Sequence, residues 1–388
     1  SPATSISPAA IRSSVSQSTT KRVTPQTLHA ALLAAVVAGA ALSLPAAAAP
    51  LGIDVPPGFR VGTFARGLSQ PTAMAYGPDG RIYVTQNGGT LVAIRSGTRR
   101  PTVLVRGLRI PLGLAWHGRS LFVSEQGRLE RFTLTDGRLA NRRVLVRGLP
   151  FGEHQQDNVV FHRGRLWWGS GSTCDACRER DARSAAVLSL RPDGTGLRVE
   201  ARGLRNPYGL AVQPGTGRLY ASVNGQDELG TPGDPEPADM AVVIRRGAFY
   251  GWPRCWPNAR TLRLSGSCRG VTKPAAYLEP HSSADGIAFW RGDLYVAEWG
   301  QYLSHRFGRR VVRVELRPDG TARRVTTFAS GFAHPLALLV DRRGGLLVAD
   351  WGLGVVYRIR AQAGRSTPQP RSGGLRIRIR AAAATLGA

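Results

Sequence analysis

The sequence predicts an all-β fold, a six-bladed β-propeller whose blades are four-stranded antiparallel sheets, over residues 50–361. A unit with several short strand patterns recurs six times at spacings of roughly 40 to 75 residues, which is typical of propeller blades. Glycine is abundant, with 47 residues, and helical periodicity is not evident, which favours strands joined by turns. With 388 residues and 42% hydrophobic content, the chain is long enough to bury a large core.

The recurring unit has one order of features. A Gly-Leu or similar apolar pair leads through a Pro-containing turn to small apolar residues, and a Gly-containing turn then leads into an aromatic or apolar strand. The six instances run from Arg66-Gly67-Leu68 to Tyr83-Val84, Arg106-Gly107-Leu108 to Phe122-Val123, Arg147-Gly148-Leu149 to Trp167-Trp168, Arg202-Gly203-Leu204 to Tyr220-Ala221, Tyr277-Leu278 to Tyr295-Val296, and Ser330-Gly331-Phe332 to Leu347-Val348. Because each unit is apolar on both faces, we expect ring closure to bury the blades against one another.

Two segments depart from the repeat. The strand pattern at residues 59–64 precedes the first unit, and we expect it to pair into the last blade and close the ring. The longest insertion, which contains Cys255 and Cys268, is expected between the fourth and fifth blades. Loops that interrupt a regular repeat tend to cluster on one face and to carry function.

The net charge of +27 and the pI near 11.5 raise nucleic acid as a partner. Lys21 and Lys273 are the only lysines, and arginine is scattered through every segment without a basic stripe or interleaved aromatic residues. A phosphate track needs such a stripe, so the sequence argues against nucleic-acid binding.

Residues 1–49 have the features of an export signal. Lys21-Arg22 precede the apolar run 30–44, and Pro45 with Ala46-Ala47-Ala48 supplies the small residues of a cleavage site. The run is short for a membrane span, so the expected location is periplasmic or secreted without stable membrane insertion, an uncleaved anchor being the alternative. At the other end, the Pro-, Gly-, Ser- and Arg-rich residues 362–388 are expected to be disordered.

The four cysteines form two local pairs, Cys174 with Cys177 and Cys255 with Cys268. An exported protein meets an oxidising compartment, which favours two disulfides. A zinc site is the alternative, but the second pair is spaced too widely for a zinc knuckle.

Three polar segments precede or follow inner strands of adjacent units. His154 is a candidate general base, the Arg205-Asn206 pair places a charged fork and an amide at a strand mouth, and the turn 224–228 offers oxygen ligands to a hard cation. Each has an ordinary alternative as a surface or loop-capping residue. A propeller brings the same relative position of neighbouring blades to one face around the channel, so we expect the three to converge there.

In chain order these residues resemble the soluble PQQ-dependent sugar dehydrogenases, in particular the sorbosone dehydrogenase-like branch. The resemblance covers about residues 55 to 360. The motifs that carry it are His154 with Phe161, Cys174-x-x-Cys177, Arg191-Pro192-Asp193-Gly194, Gly203-Leu204-Arg205-Asn206-Pro207-x-Gly209-Leu210, Asn224-Gly225-x-Asp227, Tyr250-Gly251-Trp252-Pro253, His281-Ser282 and Arg291-Gly292-Asp293-Leu294-Tyr295.

The resemblance implies a six-bladed propeller that holds pyrroloquinoline quinone (PQQ) over its central channel. It implies that His154 takes the proton of a sugar hydroxyl while hydride moves to the quinone, and that Arg205 stabilises the developing oxyanion. Asn206 and Tyr208 correspond to positions that contact the cofactor. Arg310 falls near a cationic position for the cofactor carboxylates.

The resemblance also implies a calcium ion beneath the quinone. Gly225 and Gln226 match positions whose backbone carbonyls bind calcium, and Asp227 can add a carboxylate. Three departures concern the site itself. Gln156-Asp157 stand where the family's sugar oxidases usually have Gly-Gly shortly after the histidine, Ser172 stands where they have an aspartate that supports the histidine, and Tyr208 stands where a glutamine often contacts the cofactor. The last blade also shows no clear pair of arginines for the cofactor carboxylates.

The resulting expectation is an exported PQQ- and calcium-dependent oxidoreductase that oxidises a sugar, related polyol or aldehyde and passes electrons to a quinone or cytochrome acceptor. Two alternatives stay open on a similar propeller. One is a non-catalytic module that binds a glycan or a protein, and the other is a calcium-dependent lactonase-type hydrolase. Fold alone does not choose among them.

Overall fold

The computed structural model of the protein describes residues 52–95, 100–227, 229, 235–301 and 306–362. All regular elements in these residues are β-strands, and no helix long and apolar enough to cross a membrane occurs among them. The predicted export signal and nearly all of the predicted tail lie outside the described residues, so both remain predictions.

Six sheets follow one another around a ring, which confirms the predicted six-bladed propeller. Strand β1 (Phe59–Ala65) comes first and belongs to the last sheet. Blades 1 to 3 contain β2 (Pro71–Tyr76), β3 (Ile82–Gln86), β4 (Thr90–Ile94) and β5 (Thr102–Val105); β6 (Gly113–His117), β7 (Ser120–Glu125), β8 (Arg128–Thr135) and β9 (Arg138–Arg147); and β10 (Gln156–His162), β11 (Arg165–Ser170), β12 (Ala186–Leu190) and β13 (Arg198–Arg202).

Blades 4 to 6 complete the ring. They contain β14 (Leu210–Val212), β15 (Leu219–Val223), β16 (Ala238–Val243) and, after three short strands β17 (Ala248–Phe249), β18 (Cys255–Asn258) and β19 (Arg263–Gly266), the outer strand β20 (Ala276–Pro280); then β21 (Ala284–Trp290), β22 (Asp293–Glu298), β23 (Arg310–Leu316) and β24 (Ala322–Ser330); and finally β25 (Pro335–Val340), β26 (Leu346–Asp350) and β27 (Val355–Ala361). Within each blade, neighbouring strands are antiparallel.

The ring is closed by the strand that precedes the first repeat unit. β1 pairs antiparallel with β27, from Phe59 opposite Ala361 to Ala65 opposite Val356. The N-terminal strand therefore becomes the outer strand of blade 6, as predicted. Apolar clusters fill the spaces between adjacent blades, for example where Val84 of blade 1 packs with Leu347 and Ala349 of blade 6.

The glycine and apolar residue that start a unit make the turn between neighbouring blades. In five units the glycine has a left-handed φ of 71–88°, a conformation that costs other residues about 1 kcal/mol or more. The residue after it is buried in every one of these units, as Leu68, Leu108, Leu149, Leu204 and Phe332. The repeat therefore records one turn and one buried anchor per blade.

Each blade also has an upper end, defined here as the end at which its second strand finishes. In blades 1, 2 and 6 a buried polar side chain at that point binds the backbone of the loop leading into the same blade. Gln86 Oε1 accepts from Ser69 N at 2.5 Å, Glu125 Oε2 from Arg109 N at 2.6 Å, and Asp350 Oδ2 from Ala333 N at 2.8 Å.

The upper face is asymmetric in its loops. The second and third strands are joined by residues 87–89, 126–127 and 351–354 in blades 1, 2 and 6, but by residues 171–185, 224–237 and 299–309 in blades 3, 4 and 5. Long loops therefore cover one half of this face only.

The insertion that contains Cys255 and Cys268 lies inside blade 4, between β16 and β20, so its predicted place between blades four and five is wrong. The cause is that Tyr277, taken from the sequence as the start of the fifth unit, lies in the outer strand of blade 4 opposite Met240. Within the insertion, β17 adds in parallel to the outer edge of blade 3, and β18 and β19 form a separate hairpin.

Both predicted disulfides are present. Cys174 is bonded to Cys177 in the long loop of blade 3, and Cys255 is bonded to Cys268 in the insertion of blade 4. The zinc alternative is not supported: in the described residues, the one cluster of metal-binding side chains includes the bonded Cys174 and Cys177 together with Glu179.

Candidate active site

His154 immediately precedes β10 and is held by the long loop of blade 3. Its backbone N–H donates to Ser172 O at 3.1 Å, and its Nδ1 lies 3.1 Å from Ser172 Oγ. The Ser172 hydroxyl donates its single proton to the carbonyl of Cys174 at 2.7 Å. Because that proton is used, Ser172 Oγ accepts from the imidazole, which places the histidine proton on Nδ1 and leaves the lone pair on Nε2.

The same surroundings keep the imidazole neutral. Burial, followed by the positive charge of Arg205, lowers the pKa of His154 to about 3, although Asp175 opposes this shift. A histidine that is neutral at physiological pH and has a free Nε2 lone pair can accept a proton.

Arg205 lies in the turn between β13 and β14 and is almost completely buried. Its Nη2 contacts Asp175 Oδ1 at 2.7 Å and Asp227 Oδ2 at 2.5 Å, and its Nε donates to the Asp175 carbonyl at 3.3 Å. Asp227 is 73% exposed at its side chain, so this second ion pair faces solvent. The guanidinium is thus fixed from the side of Asp175, whereas the exposed Asp227 carboxylate can leave it at little cost.

Asp175 is the residue that sequence reasoning missed. It lies between the bonded Cys174 and Cys177, is buried, and accepts from Asp227 N at 2.7 Å as well as from Arg205. Its carbonyl also accepts from Trp252 Nε1 at 2.8 Å. One residue therefore joins the loops of blades 3 and 4. A hint was present in the sequence, because a carboxylate inside a four-residue disulfide loop has few conformations available to it.

Asn206 lies beside the histidine. Its Nδ2 donates to Asn224 Oδ1 at 2.7 Å, while its Oδ1 is buried without a hydrogen-bond partner in the described residues. Gly171 separates the two side chains so closely that a Cβ there would lie 2.4 Å from His154 Cβ and 2.7 Å from Asn206 Oδ1. Only glycine fits at this position without moving one of them.

The turn predicted to bind calcium follows β15. Gly225 N donates to Asp239 Oδ1 at 2.7 Å, and Gln226 Nε2 donates to Pro253 O at 3.0 Å, which leaves Gln226 Oε1 buried and without a partner in the described part of the chain. A cavity of about 20 Å³ borders this turn, which is room for one water or one ion.

These observations test whether the turn suits a hard cation. The unpartnered amide oxygens of Asn206 and Gln226 are the kind of ligand that calcium prefers, so the turn is compatible with it. The carboxylate of Asp227, by contrast, is paired with Arg205 in this structure. The predicted contribution of Asp227 to calcium binding therefore requires that ion pair to open. Glu228, in the same turn, lies outside the described residues.

Tyr208 and Arg310 are the other two predicted cofactor residues. The Tyr208 ring is buried, its hydroxyl has no hydrogen-bond partner among the described residues, and burial, followed by the charges of Asp285 and Asp157, raises the pKa of Tyr208 well above the usual range. Arg310, at the start of β23 in blade 5, is held by Glu298 at 2.6 Å and Glu279 at 3.1 Å. The structure thus brings together His154, Arg205, Asn206 and the turn 224–227; Tyr208 N donates to Asn206 O at 2.9 Å, and Arg310 is engaged by two carboxylates.

The chain is similar to known proteins in sequence. A family model described as Glucose / Sorbosone dehydrogenase matches residues 68–336. Among curated relatives, an uncharacterised protein of Borreliella burgdorferi is 22% identical over 346 residues, covering 79% of this chain and 90% of its own. Aldose sugar dehydrogenase YliI of Escherichia coli is 23% identical over 296 residues, covering 61% of this chain and 74% of its own.

Solved structures show the same fold. A crystal structure of a putative oxidoreductase (glucose dehydrogenase) from Thermus thermophilus is 25% identical, with a TM-score of 0.64 over 78% of this chain and 100% of the other. The PQQ-bound aldose sugar dehydrogenase of Streptomyces coelicolor is 22% identical, with a TM-score of 0.64 over 79% and 100%. The PQQ domain of pyranose dehydrogenase from Coprinopsis cinerea is 20% identical, with a TM-score of 0.70 over 81% and 99%.

Proposed function

This chain belongs to the Glucose / Sorbosone dehydrogenase family, and we propose that it is an exported oxidoreductase that uses PQQ and calcium to oxidise a sugar, related polyol or aldehyde. Electrons would pass to a quinone or cytochrome acceptor. Relatives of similar fold include an aldose sugar dehydrogenase and a pyranose dehydrogenase, and two of the solved structures contain PQQ or its binding domain. The two disulfides agree with a periplasmic or secreted location.

One observation supports the proposal most strongly: the hydrogen-bond chain from His154 Nδ1 through Ser172 Oγ to Cys174 O. Ser172 Oγ takes the place of the aspartate that the family's sugar oxidases have at this position: it accepts a hydrogen bond, and this fixes the tautomer and the orientation of the imidazole ring. Unlike an aspartate it adds no negative charge, and burial together with Arg205 keeps the pKa of the imidazole low. His154 would take the hydroxyl proton of the substrate at Nε2.

Arg205 would place positive charge beside the base. When bound, PQQ supplies the acceptor for the substrate hydride. Asn206 Oδ1 and Gln226 Oε1 are buried acceptors that lack partners among the described residues, and they would hold calcium or a donor group of the cofactor. The exposed Asp227 would be displaced from Arg205 as an anionic ligand enters.

Reconstitution tests this function. Purified full-length chain is titrated with PQQ in the presence of calcium, and bound-quinone absorbance and dye reduction are followed with a panel of aldoses. We expect saturable binding near one quinone per chain and sugar-dependent dye reduction, both abolished by chelation of calcium. Asp227→Asn should raise the calcium requirement if its carboxylate reaches the ion.

The alternatives give different results in the same experiment. A glycan- or protein-binding propeller shows neither quinone absorbance nor dye reduction. A lactonase-type hydrolase needs calcium but no quinone, and releases acid from lactones. Sugar-dependent dye reduction that survives exhaustive chelation would remove calcium from the proposal while leaving PQQ in place.

A further inference from the structure

A second concave feature opens on the upper face, outside the predicted site residues. It is a cleft of about 980 Å³ between the disulfide loop of blade 3 and the disulfide-linked insertion of blade 4. We call it the arginine cleft after the five arginines that line it, which are Arg178, Arg180, Arg202, Arg254 and Arg269. Its volume lies within the range of about 300 to 1,000 Å³ that is usual for small-molecule sites.

Positive charge is in excess in this cleft, because five arginines and two carboxylates line it. All five arginines are exposed, and none of their guanidinium groups forms an ion pair or hydrogen bond with another described residue. The two carboxylates in the lining are engaged elsewhere: Glu179 accepts from Thr173 N at 2.5 Å, and Asp181 is paired with Arg183 at 2.6 Å. The cleft therefore presents a concentrated positive charge to solvent.

A cleft on the opposite face shows that five unpaired arginines in one lining are particular to the arginine cleft. That cleft, of about 580 Å³, also has five arginines in its lining. There, however, Arg81 is paired with Asp79 at 2.6 Å and Arg358 with Asp341 at 2.8 Å, and Arg342 lies 4.7 Å from the centre of the Tyr76 ring. An arginine-rich composition alone thus does not leave the charges of a cleft unpaired.

The floor of the arginine cleft is apolar and aromatic. Phe249 is 41% exposed, and its ring packs against Gly203, where a Cβ would approach Phe249 Cε2 to 2.4 Å. An exposed aromatic face with arginines around it suits a ring that has apolar C–H faces and carboxylate substituents, because arginine binds carboxylates through paired N–H groups.

The cleft is also connected to the candidate active site. Trp252 lies in its lining and donates through Nε1 to the carbonyl of Asp175, whose carboxylate holds Arg205. A long ligand in the cleft would therefore lie next to the group that holds the proposed oxyanion partner.

We propose that the arginine cleft binds carboxylate-bearing saccharides, so that the substrate is an acidic oligosaccharide containing uronic acid residues. Naming this as the substrate class rests on the proposed sugar-oxidising function. The concave shape and aromatic floor favour a saccharide over the acidic surface of an electron-acceptor protein, which would need a flatter patch.

Calorimetry of the full chain without cofactor tests the cleft directly. The probes are a trimer of galacturonic acid and the neutral trimer cellotriose. We expect the acidic trimer to bind, more weakly as salt is raised, and the neutral trimer to bind far less. The double variant Arg180→Gln/Arg254→Gln should weaken the acidic trimer by about 3- to 30-fold, from two exposed ion pairs. The matched control Arg342→Gln/Arg343→Gln removes the same charge from the opposite face and should leave binding unchanged.

The inference is overturned by equal binding of both trimers, by no binding of the acidic one, or by an equal loss in the control variant. If the cleft variant instead slows electron transfer to an acidic acceptor protein without affecting the trimer, the cleft is a docking surface and the inference is wrong. Dye reduction with neutral aldoses reports the proposed function separately. Activity without trimer binding contradicts only this inference, and trimer binding without quinone binding contradicts only the proposed function.

Discussion

Blades 3 to 5 differ from blades 6, 1 and 2 in how the second strand is joined to the third. In blade 1 the turn is residues 87–89, and the Gly89 carbonyl receives the N–H of Leu108. In blade 3 the corresponding carbonyl is that of Ala185, which receives Leu204 N, but residues 171–185 intervene and contain the Cys174–Cys177 disulfide. Blade 3 thus keeps the backbone hydrogen bond that ends this loop in blade 1, but its loop is longer.

Blade 1 and the junction of blades 3 and 4 also differ in whether their buried polar atoms have hydrogen-bond partners. In blade 1 Gln86 binds Ser69 N and, at 2.6 Å, Thr90 Oγ1, and Thr72 binds Thr85. Across blades 3 and 4, buried oxygens of Asp157, Asn206, Tyr208 and Gln226 have no hydrogen-bond partner in the part of the chain that the structure describes. Each such atom costs about 1–3 kcal/mol. In blade 1, by contrast, no buried side-chain nitrogen or oxygen of a described residue lacks a partner. Unpartnered buried atoms also occur in blade 2, such as Glu125 Oε1, so the distinguishing feature of blades 3 and 4 is that such oxygens include those of predicted site residues, where a ligand can bind them.

The largest expected effect comes from the base. His154→Ala should lower turnover by about two to four orders of magnitude, the usual contribution of a general base, while quinone affinity stays nearly unchanged. Steady-state dye reduction at saturating PQQ and calcium measures this. The control is His117→Ala in blade 2, where the ring stacks on Phe161 with centroids 3.8 Å apart and should affect stability only. Parental turnover in His154→Ala would show that the histidine is structural.

Arg205→Gln should affect both binding and turnover. Loss of the charge should weaken quinone binding and lower kcat by about 10²–10³-fold, as for loss of one oxyanion donor. It should also raise the pKa of His154 from about 3 toward its usual value, because the charge of Arg205 is, after burial, the second largest cause that lowers this pKa. The acid limb of the pH–rate profile should therefore move to higher pH in the variant. Arg128→Gln, which breaks the ion pair with Glu125 in blade 2, should leave the profile where it was.

A smaller effect is expected from a substitution in blade 1. Gln86→Ala leaves Ser69 N–H without its acceptor, and this should reduce the free energy of unfolding by about 1–3 kcal/mol with little change in turnover. Chemical denaturation of the apoprotein measures the loss. If Gln86→Ala abolished activity at full stability, the distinction between blade 1 and the candidate site in blades 3 and 4 would be wrong.

The smallest effect is a pH dependence of stability. Burial raises the pKa of Asp157 well above its usual value, so its contribution favours the folded state below the unfolded pKa of about 3.9 and is lost as pH rises toward the folded pKa. Asp157→Asn should therefore raise Tm by about 1–3 °C at pH 8 and hardly at all at pH 4. Asp341→Asn in blade 6 should lower Tm instead, because Arg358 loses its partner at 2.8 Å. Equal shifts in both variants would contradict this.

The ring could be predicted from the sequence because nearly every blade begins with the same turn, which requires particular residue types. The left-handed glycine and the buried residue after it, such as Gly107 and Leu108, mark every blade boundary but one. The exception, at Tyr277, misplaced the insertion because an outer strand and a unit start look alike in an apolar run.

The site was predicted in part for a similar reason. His154 and Arg205 have fixed places in the repeat, so ring geometry brings them to one face. Asp175 was missed because its role depends on the path of a long loop, which no periodicity records. The ion pair between Asp227 and Arg205 likewise depends on the meeting of two loops from different blades.

The most direct measurement of the central claim is a single turnover without an external acceptor. Parent chain loaded with PQQ and calcium is mixed anaerobically with an aldose in a stopped-flow spectrometer, and the absorbance of bound quinone is followed. We predict stoichiometric reduction of the bound quinone, and a rate of quinone reduction that is lower by about two to four orders of magnitude in His154→Ala. Quinone that binds but is never reduced by any sugar, or that is reduced equally fast without His154, would contradict it.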